Sequence, residues 1–160
     1  YINDAKICEA VAQMLTRNGI PTKVETIPKN VYFKRASKGG ADKSPEFSFF
    51  PVGWGSGTGE PSSPIKSLLT THDKSKGHGA SNRGRHSNPK MDALLVKALS
   101  TVDDAARAKL LARATEIGIG EDQGIIPLHY QVNTWGTRKG LKYNARADES
   151  TRGLDLIKEN

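Results

Sequence analysis

The stretch "NPKMDALLVKALSTVDDAARAKLLARATEIGIG", residues 88–120, constrains the fold more than any other part of the chain. Met91, Leu94, Leu95, Ala98 and Leu99 recur at i, i+3, i+4, i+7 and i+8, which puts them on one face of a helix. Asn88 is a capping residue, and Pro89 suits the first helical position because its φ is fixed and its missing N–H has no partner there anyway. Thr101 and Asp104 have the spacing of a capping box for a second helix. Its apolar stripe is Ala106, Leu110, Ala114 and Ile117, and Gly118 and Gly120 end it. A connection this short predicts two antiparallel helices with their apolar faces together.

Around this pair the pattern alternates between helix and strand signals. "NDAKICEAVAQMLTRNGI" has an Asn3 or Asp4 cap, apolar Ile7, Ala10, Val11, Met14 and Leu15, and a left-handed stop at Asn18-Gly19. "PTKVETI" from Pro21 sets Val24 and Thr26 against Lys23 and Glu25, as in a half-buried strand. Pro28 opens a short helix through Tyr32 and Phe33, and residues 36–44 read as a mobile loop because they hold little to bury. "EFSFFPVGW" from Glu46 and "GIIPLHYQV" from Gly124 are continuous apolar runs of the kind covered on both faces of a sheet. Ser62 or Ser63 with Pro64 begins a short helix through Leu69, and "THDKSKGHGASNRGRHS" is a long polar loop, a class usually functional or disordered. "TWGTR" and "GLKYN" are β-like pieces before a polar tail, and there is no internal repeat. The expected class is α/β, a short mixed sheet flanked by helices.

The 160 residues suit one domain. The net charge of +7 and pI near 9.6 raise nucleic-acid binding as a second reading, with "KGHGASNRGRH" as its contact. Against it, basic residues run from Lys6 to Lys158 interleaved with acids, the pattern of a solvated surface. No run approaches the roughly 18 apolar residues of a membrane span. Cys8 is the one cysteine, so no intrachain disulfide can form. The chain opens on a helix signal with neither an initiator Met nor a leader pattern, as expected of a piece of something longer.

Chemistry centres on "FSFFPVGWGSGTGEPSSP". In an open α/β sheet, ligands sit beyond the carboxyl ends of strands, and here a strand-like run ends in glycines and Trp54. Gly53, Gly55, Gly57 and Gly59 miss the GxGxxG spacing and no GxxxxGK follows, so nucleotide binding is disfavoured. Ser63 and Lys66 make an S-x-x-K, the basis of a third reading as an acyl-transfer enzyme, without the S-D-N or K-T-G that would support it. His72, His78, His86 and His129 lack metal-ligand spacing, so no metal or other cofactor is expected. Arg83 and Arg85 in "NRGRHSNP" offer forked donors to a carboxylate or phosphate.

The order of "NDAKICEAVAQMLTRNGI", "FSFFPVGWGSGTGE", "RHSNPKMDALL", "DDAARAKLLARATEI" and "GIIPLHYQ" resembles the carboxyl-terminal part of extracytoplasmic solute-binding proteins of ABC importers. The resemblance is to family 5, the large type that includes dipeptide, oligopeptide and nickel binders, and it runs from Asn3 to about Thr151. It implies the second lobe of a two-lobed periplasmic-binding-protein fold, residues 1–131, with residues 132–160 forming the hinge and return toward a missing first lobe. It further implies a non-enzymatic, periplasmic or otherwise extracytoplasmic protein that captures a peptide or other small polar solute and delivers it to ABC permease subunits. Nucleic acid is not an expected partner. Trp54, Gly55, Ser56, Asn82, Arg83 and Arg85 would contact ligand, and Tyr130, Asn133 and Trp135 would lie at the hinge. Peptide-binding relatives place an aspartate in the loop after Gly-Trp to hold the ligand's amino group. Gly57 stands at the comparable position here with Glu60 the acid nearby, which counts against a dipeptide.

Overall fold

The computed structural model describes residues 1, 3–39, 44–47, 49–146 and 148–159. In chain order its elements are α1 (Asp4–Arg17), α2 (Lys29–Lys38), α3 (Ser62–Leu68), α4 (Pro89–Leu99), α5 (Asp104–Thr115), a π-helical turn (Glu116–Glu121), β1 (Leu141–Tyr143), a 3-10 turn (Gly153–Asp155) and β2 (Leu156–Lys158). Mixed helix with a small sheet is consistent with the α/β class.

The core is a seam between α3, α4, α5 and the π-helical turn. Met91, Leu95 and Ala98 of α4 pack with Leu111 and Ala114 of α5, Ile117 of the turn, and Ile65 and Leu69 at the α3 end. Burying a large aliphatic side chain contributes about 1.5–3 kcal/mol, which makes this seam the main source of stability. Asn88 caps α4 as expected, its side-chain oxygen accepting from the N–H groups of Lys90 (3.0 Å) and Met91 (3.3 Å).

At α5 the capping box does not form. Asp103 takes the cap, accepting from the Ala106 N–H at 2.7 Å, while the Thr101 hydroxyl donates to the Lys97 carbonyl at 2.7 Å and closes α4. Of the expected stripe Ala114 and Ile117 are buried, with Leu111 joining them, whereas Ala106 is exposed and Leu110 half-buried. Nor do Gly118 and Gly120 stop the chain, which runs on through Glu121. Gly118 is buried, and a Cβ there would lie 2.7 Å from Met91 Sδ and 3.1 Å from Leu69 Cδ1. The missing side chain lets the turn close on the core.

The three expected strands, residues 21–27, 46–54 and 124–132, are not strands among the described residues; Ser48 lies outside them. A strand needs a neighbouring strand for its N–H and C=O groups, and among the described residues these segments pair with none. The apolar run meant for a covered strand is instead open to solvent, with Tyr130 98% and Val132 80% exposed. One antiparallel ladder exists, β1 with β2, pairing Leu141 with Lys158, Lys142 with Ile157 and Tyr143 with Leu156. It bears out "GLKYN" as a β-piece, not "TWGTR", and takes its second strand from the polar tail.

The first third packs more loosely. In α1 only Ala12 is buried; Ala10 and Met14, expected on the core side, are exposed. Asn18 donates its side-chain amide to the Met14 carbonyl (2.8 Å), and Gly19 takes the left-handed φ of 84° that ends the helix. Helix α2 runs further than expected, so residues 36–38 of the predicted mobile loop are helical with Ala36 fully buried, and residues 40–43 lie outside those described. Arg35 holds both flanks of α2, Glu25 at 2.9 Å and Glu46 through three contacts of 2.5–3.0 Å.

The seam sets an expectation for mutants. Leu95→Ala leaves a cavity and costs about 2–5 kcal/mol, whereas Val132→Ser stays within about 0.5 kcal/mol. Urea unfolding followed by circular dichroism checks both, and equal losses would show that the core lies elsewhere.

Candidate functional site

The loop carrying Trp54 is tied at both ends and open between. At its start the Tyr32 hydroxyl donates to the Pro51 carbonyl and the Tyr1 hydroxyl to the Gly53 carbonyl (3.3 Å). Burial pushes the Tyr32 phenol up to about 12, so it remains a donor at neutral pH. At its end Glu60 meets Arg107 of α5 in a forked pair, Nε to Oε2 at 2.8 Å and Nη2 to Oε1 at 2.5 Å, and also accepts from the Ser62 hydroxyl. These bonds, Arg107's first and Ser62's second, lower the Glu60 carboxyl to about 2. Between the anchors the Ser56 hydroxyl donates to the Glu60 carbonyl at 2.6 Å, and Trp54 is 45% exposed. A Cβ at Gly55, Gly57 or Gly59 would meet nothing within 4 Å, so this rim faces open space.

One aromatic cluster connects this loop to the second expected segment. Tyr1 lies edge-on to Phe33 (6.4 Å), Tyr32 edge-on to Phe33 (5.1 Å) and stacked on Phe47 (5.8 Å). The Arg83 guanidinium sits over Phe33 at 5.7 Å, and its Nε donates to Ser37 at 3.1 Å. The path from Gly53 through Tyr1 and Phe33 to Arg83 thus brings both segments onto one patch. Sequence reasoning missed Tyr1, Phe33 and Arg107. The adjacent Tyr32-Phe33 pair in the otherwise basic "KNVYFKRASK" was the available signal.

Asn82 and Arg85 differ sharply. Asn82 is buried, its amide donating to the carbonyls of Thr70 (2.8 Å) and His86 (2.7 Å) while its oxygen accepts from the His86 N–H (3.0 Å). Its side chain serves the chain's own backbone. Arg85 is exposed, in the left-handed region at φ 56°, and its side chain has no hydrogen bond or ion pair among the described residues. The polar loop around them is folded rather than irregular: Asp73 and His78 exchange backbone bonds of 3.1 and 3.0 Å, and Gly79 and Ser81 donate to the Lys66 and Ser67 carbonyls at 2.9 Å. His86 is pinned between the Leu69 carbonyl (Nδ1, 2.6 Å) and Asp122 (Nε2, 2.8 Å). Bonds from Asn88 and then His86 hold the Asp122 carboxyl below its usual range.

At the expected hinge, Tyr130 projects into solvent, Asn133 is half-buried, and Trp135 donates through Nε1 to the Thr151 hydroxyl (3.0 Å) while its ring lies 5.5 Å from Tyr143. Trp135 therefore connects this segment to the β1–β2 ladder. Ser63 is exposed at the start of α3, with no hydrogen bond to a base among the described residues. No group of three or more His, Cys, Asp or Glu among the described residues could hold a metal ion, and no described helix is long and apolar enough to cross a membrane.

Two curated proteins show what the chain is similar to. It is 29% identical over 139 residues to the oligopeptide-binding protein OppA of Bacillus subtilis, a match covering 86% of this chain and 23% of that protein. It is 26% identical over 129 residues to the periplasmic oligopeptide-binding protein OppA of Salmonella typhimurium, covering 80% of this chain and 21% of that protein. The chain thus spans under a quarter of the length of either relative. No family model matches, and no solved structure does.

The site separates two kinds of residue. Trp54→Ala leaves the unfolding free energy nearly unchanged, whereas Asn82→Ala strands buried backbone acceptors and costs about 1–3 kcal/mol. A loss above about 3 kcal/mol for Trp54→Ala, the range of a core aromatic, would make Trp54 a packing residue.

The Glu60–Arg107 link gives a pH signature. A carboxyl lowered on folding adds stability that is fully present above its unfolded value and is lost as pH falls through its folded value. The destabilisation caused by Glu60→Gln is therefore constant above about pH 5 and shrinks toward zero as pH approaches about 2. Urea midpoints of parent and variant across this range measure it; a difference that stays constant down to pH 2 would refute the link.

Proposed function

We propose that this chain is the second lobe of an extracytoplasmic solute-binding component of an ABC importer, one that captures a peptide and passes it to membrane permease subunits. Residues 1–131 form the lobe, and residues 132–160 form the hinge and return toward the first lobe. The observation that carries this reading is similarity to two oligopeptide-binding proteins over 80–86% of the chain. Both are binding proteins by name, in agreement with a non-enzymatic role.

Two features of the molecule support it. The apolar run Ile126, Leu128, Tyr130 and Val132 is uncovered, as expected of a segment that a first lobe would cover. The loop from Gly53 to Gly59 is held by anchors at each end but presents Trp54 and open glycine backbone between them, as a ligand-facing rim would. Ligand contact is assigned to Trp54, Gly55, Ser56, Arg83 and Arg85, with Asn82 shaping the segment from behind. Tyr130, Asn133 and Trp135 form the hinge.

A two-lobed binder encloses its ligand by hinge closure, so each lobe supplies part of the contact. At an affinity of about 1 μM, near 8 kcal/mol, losing half of that energy leaves a dissociation constant around 1 mM. The isolated 160-residue chain therefore folds but binds peptides no better than millimolar, while the full-length protein binds them at micromolar or below. Calorimetry on both against a peptide mixture tests the assignment. Micromolar binding by the isolated chain would place a whole pocket within it, and salt-sensitive retention on DNA without peptide binding would replace this reading with a nucleic-acid one.

A further inference from the structure

We propose that Asn18-Gly19, at the end of α1, is a site of spontaneous hydrolytic modification, in which water converts the Asn18 side-chain amide to an aspartyl or isoaspartyl carboxylate. The proposal stands apart from the solute-binding function. Asparagine is among the chemically labile residues, and the step needs the next backbone nitrogen to reach its side-chain carbon. A side chain on the next residue hinders that approach, and Asn18 is the one asparagine here followed by glycine. Asn3, Asn30, Asn82, Asn133 and Asn144 each precede a residue with a side chain, and Asn88 precedes a proline, which has no N–H to give up. Asn18 and Gly19 are both exposed, and a Cβ at Gly19 would meet nothing within 4 Å. The φ of 84° at Gly19 is one that other residues adopt only with strain. The labile pair is therefore built into the helix stop itself.

Two hydrogen bonds restrain the reacting groups. Asn18 donates Nδ2 to the Met14 carbonyl at 2.8 Å, and the Gly19 N–H donates to the Thr16 carbonyl at 3.1 Å. Both belong to the last turn of α1, and neither helix nor strand holds the described chain again until α2. Fraying of that single turn frees both groups. The Gly19 nitrogen then attacks Asn18 Cγ; the N–Cγ bond forms, the Cγ–Nδ2 bond breaks, and ammonia leaves with the proton of the Gly19 nitrogen. Water opens the cyclic imide, and the acid formed gives its proton to the ammonia. Opening at Cγ leaves an aspartyl residue, whereas opening at the backbone carbonyl leaves an isoaspartyl one with an extra carbon in the main chain. Neither product can donate to the Met14 carbonyl, and each sets a carboxylate against the negative end of α1. The longer main chain of the isoaspartyl form also displaces the Gly19 and Ile20 N–H groups from the Thr16 and Leu15 carbonyls they now reach at 3.1 and 2.9 Å.

Peptide mapping by mass spectrometry, after incubation of the 160-residue chain at mildly alkaline pH, tests this against a synthetic peptide of residues 14–24 as the unstructured reference. Asn18 in the folded chain gains the mass of an amide-to-acid conversion at a rate within about tenfold of the peptide's, as opening of one terminal turn allows. Asn133 and Asn144, which also lie outside helix and strand, convert later. Protection of Asn18 beyond about tenfold, or earlier conversion at Asn133 or Asn144, overturns the proposal. Asn18→Gln, whose longer side chain closes a less favourable ring, removes the mass gain from this segment; a gain that persists there would place the chemistry at another residue. Asn18→Asp, made without ageing, speeds amide hydrogen exchange at Gly19 and Ile20 and leaves Met91 and Leu95 of the seam unchanged. Exchange unaltered at Gly19 and Ile20 would overturn the effect assigned to the product carboxylate.

Discussion

The contact of Leu69, Met91 and Gly118 is where the molecule is most tightly constrained. Gly118 has no side chain, so the π-helical turn after α5 can settle onto Met91 and Leu69. The backbone of that turn then continues to Gly124, whose N–H donates to the Gly118 carbonyl at 2.9 Å, and a Cβ at Gly124 would lie 2.8 Å from both the Leu69 and the His86 side chains. Through His86 the same contact fixes Asn82, since the two exchange backbone and side-chain bonds. The placement of Arg83 and Arg85 is thus inherited from close packing two steps away.

A second dependence runs through polar bonds. The Trp54 loop has no apolar seam of its own; it is positioned by two tyrosine hydroxyls at one end and by Glu60 with Arg107 at the other. Such anchoring sets where the loop begins and ends while leaving the glycines between free of packing. A rigid base with an unencumbered rim is the arrangement a recognition loop requires.

The helices were legible in the sequence because their signals are local. The spacing of Met91, Leu95 and Ala98, the Asn88-Pro89 start and the Asn18-Gly19 stop each depend on residues within a turn or two, and each is found in the structure. In α5 the expected Ala114 and Ile117 are buried, Leu111 joins them and Ala106 is exposed, while Asp103 rather than Thr101 takes the cap because Thr101 bonds to Lys97. Apart from "GLKYN", the strands were not legible, since apolar content predicts burial only when something is present to do the burying; residues 126–132 have the composition of a covered strand and no cover. At the candidate site, the Gly-Trp loop and the arginines could be picked out as residue types. The ties of Glu60 to Arg107 and of Arg83 to Phe33 join positions far apart in sequence and leave no local trace.

Arg35 carries a consequence for how the chain comes apart. Its bonds to Glu25 and Glu46 hold the segments on either side of α2, and they lie at the surface, where added salt shortens the reach of charge to about 3 Å at 1 M. The seam of α3, α4 and α5 is apolar, and excluded salts such as sulfate strengthen it. Ionic strength therefore acts in opposite directions on the ion pairs that flank α2 and on the apolar seam: the former loosen as the latter tightens.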